Sequence, residues 1–217
     1  MRVIFNEEMN QLLDTFNEMG TRVNEAIYQS IQSFIKHDKQ TAKQIIEQDT
    51  EINDLEKAID MMCNEIIALQ QPNTSDLRRI ITVLKASTDL ERMADHAVSI
   101  AHSTIRIKGN KRSHRVEKMI SDMGEIIKWM TYEIIQALPD FNMEHALDVA
   151  SRDDEIDELN IEVKRVAIDR MENDSEVVWG ATDYVLVANY IERIGDYITN
   201  IAEGIVYLET GDIKELN

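Results

Sequence analysis

The sequence predicts an all-α protein built from two tandem, pseudo-symmetric three-helix bundles with up-down topology. Three observations lead to this prediction. Glycine and proline number only seven and two among 217 residues, whereas residues typical of long helices are plentiful. Apolar residues recur at steps of three and four along most of the chain. Similar segments also return about a hundred residues later, as expected of a duplicated unit.

Three apolar stripes of helical spacing define the first half, at 5–34, 45–69 and 77–105. The second stripe stops at Pro72, because proline cannot continue a helix. We expect Ser75 to cap the third helix, since a serine hydroxyl can accept hydrogen bonds from free N–H groups at a helix start.

The second half predicts helices at about 113–138, 142–172 and 174–209, with a turn at Pro139 and Asp140. Short connections make neighbouring helices antiparallel, so each half forms an up-down bundle. We expect the long third and sixth helices of the chain to pack side by side.

The internal repeat keeps one register through the first two helices of each half. EMG at 18–20 returns as DMG at 122–124, and QDTEINDLE at 48–56 returns as RDDEIDELN at 152–160, in both cases 104 residues later. In the third helices the offset falls to 101 residues, because LERMADH and IERIGDY begin at 90 and 191. We place the three-residue deletion in the loop before these helices, where a repeat tolerates it best.

These observations divide the chain into a first bundle at 1–106, a linker at 107–113, a second bundle at 114–210 and a tail at 211–217. The segment RIKGNKRSHR at 106–115 carries six basic or potentially basic side chains. Its composition is typical of a solvated hinge, although a basic island could also dock an acidic partner.

Composition excludes several classes of protein. Forty-one acidic and 23 basic residues give a formal charge of −18, which argues against nucleic acid as a partner. No apolar run approaches the roughly 18 residues that a membrane-spanning helix needs, and no signal sequence opens the chain. The single cysteine, Cys63, cannot form an internal disulfide and lies in a core pattern. We therefore expect a cytoplasmic protein without direct membrane insertion.

Acidic residues stand at core-like positions in both third helices. Glu91 lies seven residues after Leu84 on one apolar stripe, and Asp95 follows one helical turn later. The last helix repeats this arrangement with Glu192 and Asp196. Carboxylates four residues apart repel each other, so we expect a positive charge to neutralise each pair.

The second helix of each half supplies facing oxygen ligands, from Asp49 and Asn53 in the first half and from Asp153 and Asp157 in the second. Packing the second helix against the third would gather four oxygen-bearing side chains in each bundle. Hard divalent or trivalent cations prefer such ligands.

Other interpretations of these acids remain open. Glu91 could form a salt bridge with Arg92 or Arg78, which would make the acids part of a metal-free, partner-binding bundle. A metal store or metal-dependent phosphatase is a further alternative. A ferritin-like oxidase is disfavoured, because the sequence contains no Glu-x-x-His. No nucleophile with a base and no glycine-rich phosphate loop appears, so we do not expect an enzyme.

The repeated segments DTEINDLE, QQPNTSDLR and DLERMADHAVSIA, with DDEIDELN and YIERIGDYITNIAE in the second half, resemble the PhoU family of phosphate-uptake regulators over essentially the whole chain. This resemblance implies a negative regulator of phosphate uptake and phosphate-starvation signalling that acts on the ATPase subunit of the phosphate-specific ABC transporter. In many bacteria it also implies a sensor histidine kinase as partner. It further implies a homodimer and multinuclear iron or zinc clusters, with manganese or magnesium as further candidates.

Eight residues occupy the metal motif that the resemblance implies: Asp49, Asn53, Glu91 and Asp95 in the first half, and Asp153, Asp157, Glu192 and Asp196 in the second. Asn53 stands where the family motif has an acid, and an amide offers an oxygen ligand without its charge. We therefore predict that the second bundle binds metal more tightly than the first.

Overall fold

The structure is a computed structural model that describes residues 2–107, 111–211 and 215–216. Within these ranges the chain forms helices and no strand, which confirms the all-α prediction. The α-helices are α1 (Arg2–Lys36), α2 (Lys39–Gln70), α3 (Thr74–Arg106), α4 (His114–Asp140), α5 (Met143–Ala150), α6 (Asp153–Asn173) and α7 (Val178–Thr210), with a 3₁₀ turn at Ser175–Val177 before α7.

The start of α3 is capped by Asn73 rather than by Ser75. The Asn73 side-chain oxygen accepts hydrogen bonds from the backbone N–H groups of Ser75 and Asp76, at 2.9 and 3.1 Å. Ser75 is therefore inside the first turn and receives the cap instead of providing it. Asp38 caps α2 in the same way, through Gln40 and Thr41.

The predicted fifth helix is interrupted, which the periodicity did not indicate. Between α5 and α6 the Ser151 hydroxyl donates to the Asp148 carbonyl oxygen at 2.7 Å, and the Arg152 N–H donates to the Val149 carbonyl oxygen three residues back. Both contacts give the backbone an alternative to the α-helical hydrogen bonds at this point, so the helix is interrupted. The helix restarts at Asp153, where acidic side chains favour a helix N-terminus.

The predicted turn at Pro139 is displaced by two residues. Pro139 lies in the last turn of α4, and the helix ends at Phe141, whose backbone is left-handed with a φ of 50°. The Phe141 N–H donates to Ala137 and Leu138, so the last carbonyl oxygens of the helix are satisfied.

Helices α1 to α3 form one bundle and α4 to α7 form the other, which confirms the predicted architecture. The bundles share one hydrophobic core, because α3 packs along α7 and α1 packs along α4. Cys63 is fully buried in this core, as predicted. None of the helices in the described ranges is long and apolar enough to cross a membrane.

The contact between α1 and α4 is reciprocal. A Cβ atom on Gly20 would lie 2.7 Å from the side chain of Ile135, and a Cβ atom on Gly124 would lie 3.0 Å from the side chain of Ile31. Gly20 and Gly124 are repeat equivalents, and so are the two isoleucines, since both pairs are 104 residues apart. The halves are therefore related by a pseudo-two-fold axis, across which residue i meets j and j meets i.

The basic segment 106–115 is tied to both bundles in its described part. Its basic side chains are partly exposed, and four of them form salt bridges: Arg106 with Asp183, Lys111 with Asp174, Arg112 with Glu117, and Arg115 with Glu162. The Arg112 guanidinium also donates a hydrogen bond to the Ile35 carbonyl oxygen of α1. The solvated hinge stays a prediction. Residues 108–110 lie outside the described residues. The predicted domain boundaries themselves stay a prediction.

The salt bridge between Arg112 and Glu117 is the centre of a buried polar cluster. Glu117 is only 4% exposed and accepts two hydrogen bonds from Arg112, at 2.8 and 2.9 Å, and one from the Tyr184 hydroxyl at 2.8 Å. Burial alone would raise the pKa of Glu117, but the bonds from Arg112 and Tyr184 outweigh it and lower this pKa. The cluster joins the linker to α4 and α7.

Candidate metal-binding faces

The first acidic face lies where α2 packs against α3. Burial and the nearby charge of Asp95 raise the pKa of Asp49, against the opposing effect of a 2.9 Å hydrogen bond from Asn53. Burial raises the pKa of Glu91 as well, followed by the charges of Asp95, Glu56 and Asp49. The structure thus brings the four predicted residues of the first half to one surface.

The second acidic face lies between α6 and α7. Burial is the main cause that raises the pKa of Glu192, and the charges of Asp196 and Asp157 add to it. The pKa of Asp196 is raised by burial and by Asp157, with Arg193 opposing. Carboxylates from both helices therefore repel one another here, as they do in the first half.

Asp153 occupies a more enclosed position than its counterpart Asp49. It is 4% exposed at the start of α6, and a Cβ atom on Gly195 would overlap its Oδ1 atom. The position equivalent to Gly195 in the first half is Ala94, and Asp49 is partly exposed there. Because Gly195 has no side chain, the Asp153 carboxylate can lie buried between α6 and α7.

Protein cations neutralise these faces only in part, because the charge of Arg92 acts against the raised pKa of Glu91, and the charges of Lys164 and Arg193 act against that of Glu192. Leaving Asp153 aside, none of the motif carboxylates forms a salt bridge within the part of the chain that the structure describes. Arg92 pairs with Asp89 at 3.6 Å, and Arg78 lies over the ring of Tyr207. Glu91 thus forms no salt bridge with Arg92 or Arg78 in the described residues, although the charge of Arg92 still acts on it.

The donor chemistry of the faces fits a hard metal ion, whereas the side-chain positions leave each face open. All ligand atoms are carboxylate or amide oxygens, which suit iron, manganese or magnesium better than zinc with its common thiolate and imidazole ligands. The Oδ1 atom of Asp49 is buried without a hydrogen-bond partner among the described residues. Among those residues no three acidic, histidine or cysteine side chains converge on one point, so an ion would have to draw the facing carboxylates together.

Glu56 is a site residue that the sequence analysis missed. Its charge raises the pKa of Glu91, which places it at the first face. Its repeat equivalent is Asn160, which is 2% exposed, while the equivalent of Asn53 is Asp157. The two halves have therefore exchanged an acid and an amide. The aligned segments QDTEINDLE and RDDEIDELN contain this signal, but Glu56 lies outside the Glu/Asp-x-x-x-Asp spacing that guided the search.

Because of this exchange, each face has four acids: Asp49, Glu56, Glu91 and Asp95 in the first half, and Asp153, Asp157, Glu192 and Asp196 in the second. The loss of charge at Asn53, on which we predicted weaker metal binding by the first bundle, is thus offset one turn further along α2. The difference in affinity stays a prediction.

Comparisons with known proteins agree with the duplicated architecture. A family model described as the PhoU domain matches the chain twice, at residues 16–104 and 120–205. These two matches coincide with the two bundles and cover most of the chain.

Similar proteins extend over the full length. One relative, from Clostridium acetobutylicum, is 36% identical over 100% of this chain and 99% of its own, and another, from Streptococcus pneumoniae, is 33% identical over 100% of both. Both are named phosphate-specific transport system accessory protein PhoU homolog. The crystal structure of the phosphate transport system regulatory protein PhoU from Streptococcus pneumoniae superposes with a TM-score of 0.91, at 31% identity over 97% of this chain and 99% of that one. PhoU from Pseudomonas aeruginosa superposes equally well, with 31% identity over 96% of this chain and 100% of that one.

Proposed function

The chain belongs to the PhoU family, and from this premise we propose that it is a regulatory accessory protein of phosphate transport that lowers phosphate uptake and starvation signalling. Full-length relatives named as accessory proteins of the phosphate-specific transport system, and a similar crystal structure named as a regulatory protein of phosphate transport, support the proposal. Its proposed partners are the ATPase subunit of a phosphate ABC transporter, a phosphate-sensing histidine kinase and a second copy of the chain, all in the cytoplasm. The chain acts by binding these partners and not as an enzyme.

We further propose that metal clusters bind to the two acidic faces. The observation that carries this proposal is that carboxylates from two helices lie together on each face and raise each other's pKa, while Glu91, Asp95, Glu192 and Asp196 form no salt bridge within the described residues. Asp49, Glu91 and Asp95 would hold ions on the first face, and Glu192 and Asp196 on the second. A bound ion supplies the missing positive charge and ties the second helix of each bundle to the third. Iron is the candidate that the family resemblance implies, and manganese and magnesium also suit these oxygen ligands.

Metal content of the purified full chain tests this part. Protein prepared without an affinity tag or chelator is analysed by elemental mass spectrometry, as wild type and as the double variant Glu192→Gln with Asp196→Asn. We expect stoichiometric iron or manganese in the wild type and loss of about half of it in the variant, since one of two faces is disabled. The double variant Asp154→Asn with Glu158→Gln is the matched control, because it removes the same charge from exposed positions of α6. Metal-free wild type after incubation with these ions would contradict the proposal.

Deletion of the gene tests the regulatory part separately. We expect phosphate uptake to rise and starvation genes to be expressed although phosphate is plentiful. Restoring the wild-type gene should reverse both changes. A deletion strain with unchanged uptake and signalling would refute the regulatory role, whatever the metal content.

A further inference from the structure

Large apolar side chains are exposed at one end of the second bundle. Trp179 is 82% exposed, Ile168 53% and Val178 37%. Ile168 lies in the last two turns of α6 and Trp179 is the second residue of α7, so the short 3₁₀ turn between these helices places them at the same end. Ile161, which is 66% exposed, lies seven residues before Ile168 on the same face of α6. We call these four residues the apolar strip. Such exposed groups, and tryptophan above all, are typical of interaction sites.

The fold does not require apolar residues at these positions. At three equivalent positions the first bundle has polar side chains, which are Lys57 for Ile161, Asn64 for Ile168 and Arg78 for Trp179. All three polar residues are exposed, as their counterparts are. The three-helix unit therefore accepts polar side chains here, and the apolar strip is a property of the second bundle alone.

The surroundings of the apolar strip are negatively charged. Helix α6 has eight acidic and three basic residues. Glu158 lies one turn before the first isoleucine of the strip, and Glu172 lies one turn after the second. In the part of the chain that the structure describes, both are exposed and neither forms a salt bridge. Arg165, between the two isoleucines, is neutralised by Glu162 at 2.7 Å. The exposed isoleucines are thus bordered by carboxylates without a cation of their own.

We propose that the apolar strip docks a positively charged amphipathic helix of a partner protein. The apolar face of such a helix covers Ile161, Ile168 and Trp179, as in other complexes in which a helix lies on an apolar surface. Its basic side chains meet Glu158 and Glu172, which complement their charge. The inference rests on the proposed regulatory role, because a protein in that role acts by binding partners, and it states which kind of segment a partner presents.

Titration of the full chain with a synthetic peptide of leucine and lysine, the leucines placed at helical spacing, tests the proposal. The chain contains two tryptophans, so Trp129→Phe leaves Trp179 as the sole indole. Covering an exposed indole shifts its fluorescence to shorter wavelength. We expect a saturable shift of this kind, and weaker binding as the salt concentration rises.

Two double variants in the Trp129→Phe background locate the binding surface. Ile161→Gln with Ile168→Asn should bind the peptide roughly tenfold more weakly, because it removes the apolar contacts on α6 and keeps the reporter Trp179. Met61→Gln with Leu69→Asn is the matched control, since these side chains of the first bundle are 62% and 72% exposed. The control should leave binding unchanged.

Other occupants of the apolar strip give different results. A shift on raising the protein concentration alone would indicate a second copy of the chain, and a shift only with phosphatidylglycerol vesicles would indicate a lipid surface. Either result would overturn the proposal. An equal shift with a peptide that has glutamate in place of lysine, equal binding by the two double variants, or no shift at all would also overturn it. The gene deletion tests the regulatory role separately, so failure of the titration in a protein whose deletion raises phosphate uptake refutes the docking surface alone.

Discussion

The two acidic faces differ in the order of their residues and agree in their number of acids. In the first bundle α2 has an amide at Asn53 and an acid at Glu56, whereas in the second α6 has an acid at Asp157 and an amide at Asn160. A motif read position by position counts one charge fewer in the first half. The structure shows that the acid has moved by one turn and still acts on Glu91. The total charge of the face is thus retained more closely than the position of each carboxylate.

The bundles differ more strongly in how they are closed. The second bundle buries Asp153 against Gly195, places the Arg152 guanidinium over the Trp129 ring, and has the buried acid Glu117. At the position equivalent to Glu117 the first bundle has Leu13, which packs against the core. At this position the second bundle is therefore stabilised by polar contacts, while the first bundle relies on apolar packing.

The largest effect is expected from Glu117→Gln, which removes the buried carboxylate at the centre of the polar cluster in the second bundle. It should lower the free energy of unfolding by about 3 kcal/mol at pH 7, because it removes a buried carboxylate that accepts two hydrogen bonds from Arg112 and one from Tyr184. The folded state lowers the pKa of Glu117 from its ordinary value of 4.5, so its contribution to stability exists above that value and is lost as pH falls through the folded-state pKa. Urea unfolding at pH 7 and below pH 4 measures both quantities.

The exposed neighbour on the same helix provides the control for this experiment. Glu125→Gln should change the free energy of unfolding by less than about 0.5 kcal/mol at either pH. A loss for Glu117→Gln that does not shrink on acidification would show that packing, and not the charge of Glu117, stabilises this cluster.

A smaller effect is expected from changing Gly195 and Ala94, the residues that determine how deeply Asp153 and Asp49 are buried. Gly195→Ala should destabilise the protein by about 2 kcal/mol, since the new methyl group would overlap the Asp153 carboxylate. Ala94→Gly should cost only about 1 kcal/mol, the ordinary penalty of glycine in a helix. Urea unfolding of chelator-treated protein compares the two. Equal losses would mean that the burial of Asp153 does not depend on Gly195.

The smallest effect concerns the exchanged acid and amide on α2. Asn53→Asp should tighten metal binding by the first face, and Glu56→Gln should weaken it, each by roughly tenfold, or about 1.4 kcal/mol. Metal titration is carried out with the second face disabled by Glu192→Gln and Asp196→Asn. The combination of Asn53→Asp with Glu56→Asn recreates the second-half order and should return the affinity to that of the parent. If this combination binds as tightly as Asn53→Asp alone, Glu56 contributes no charge to the site.

The periodicity and the repeat predicted most of the fold and the motif residues, because both follow from spacing along the sequence. The break between α5 and α6 was missed because Ser151 and Arg152 do not disturb the apolar pattern, and because no glycine or proline marks the break. The salt bridges of the basic segment 106–115 were missed for another reason. Its partners, such as Asp183 and Glu117, lie far along the chain or are indistinguishable from other surface acids until the tertiary structure brings them close.

The reciprocal contacts of Gly20 with Ile135 and of Gly124 with Ile31 have a genetic consequence. Contacts of this kind are those of a symmetric dimer, so the chain corresponds to two protomers of a single three-helix unit joined end to end. In a dimer encoded by one unit, every substitution appears on both sides of the axis. Once the units were joined, Glu25 and Trp129, or Ala94 and Gly195, were able to diverge independently. The duplication thus allowed the Asp153 carboxylate to become buried in one half while its counterpart Asp49 stayed partly exposed in the other.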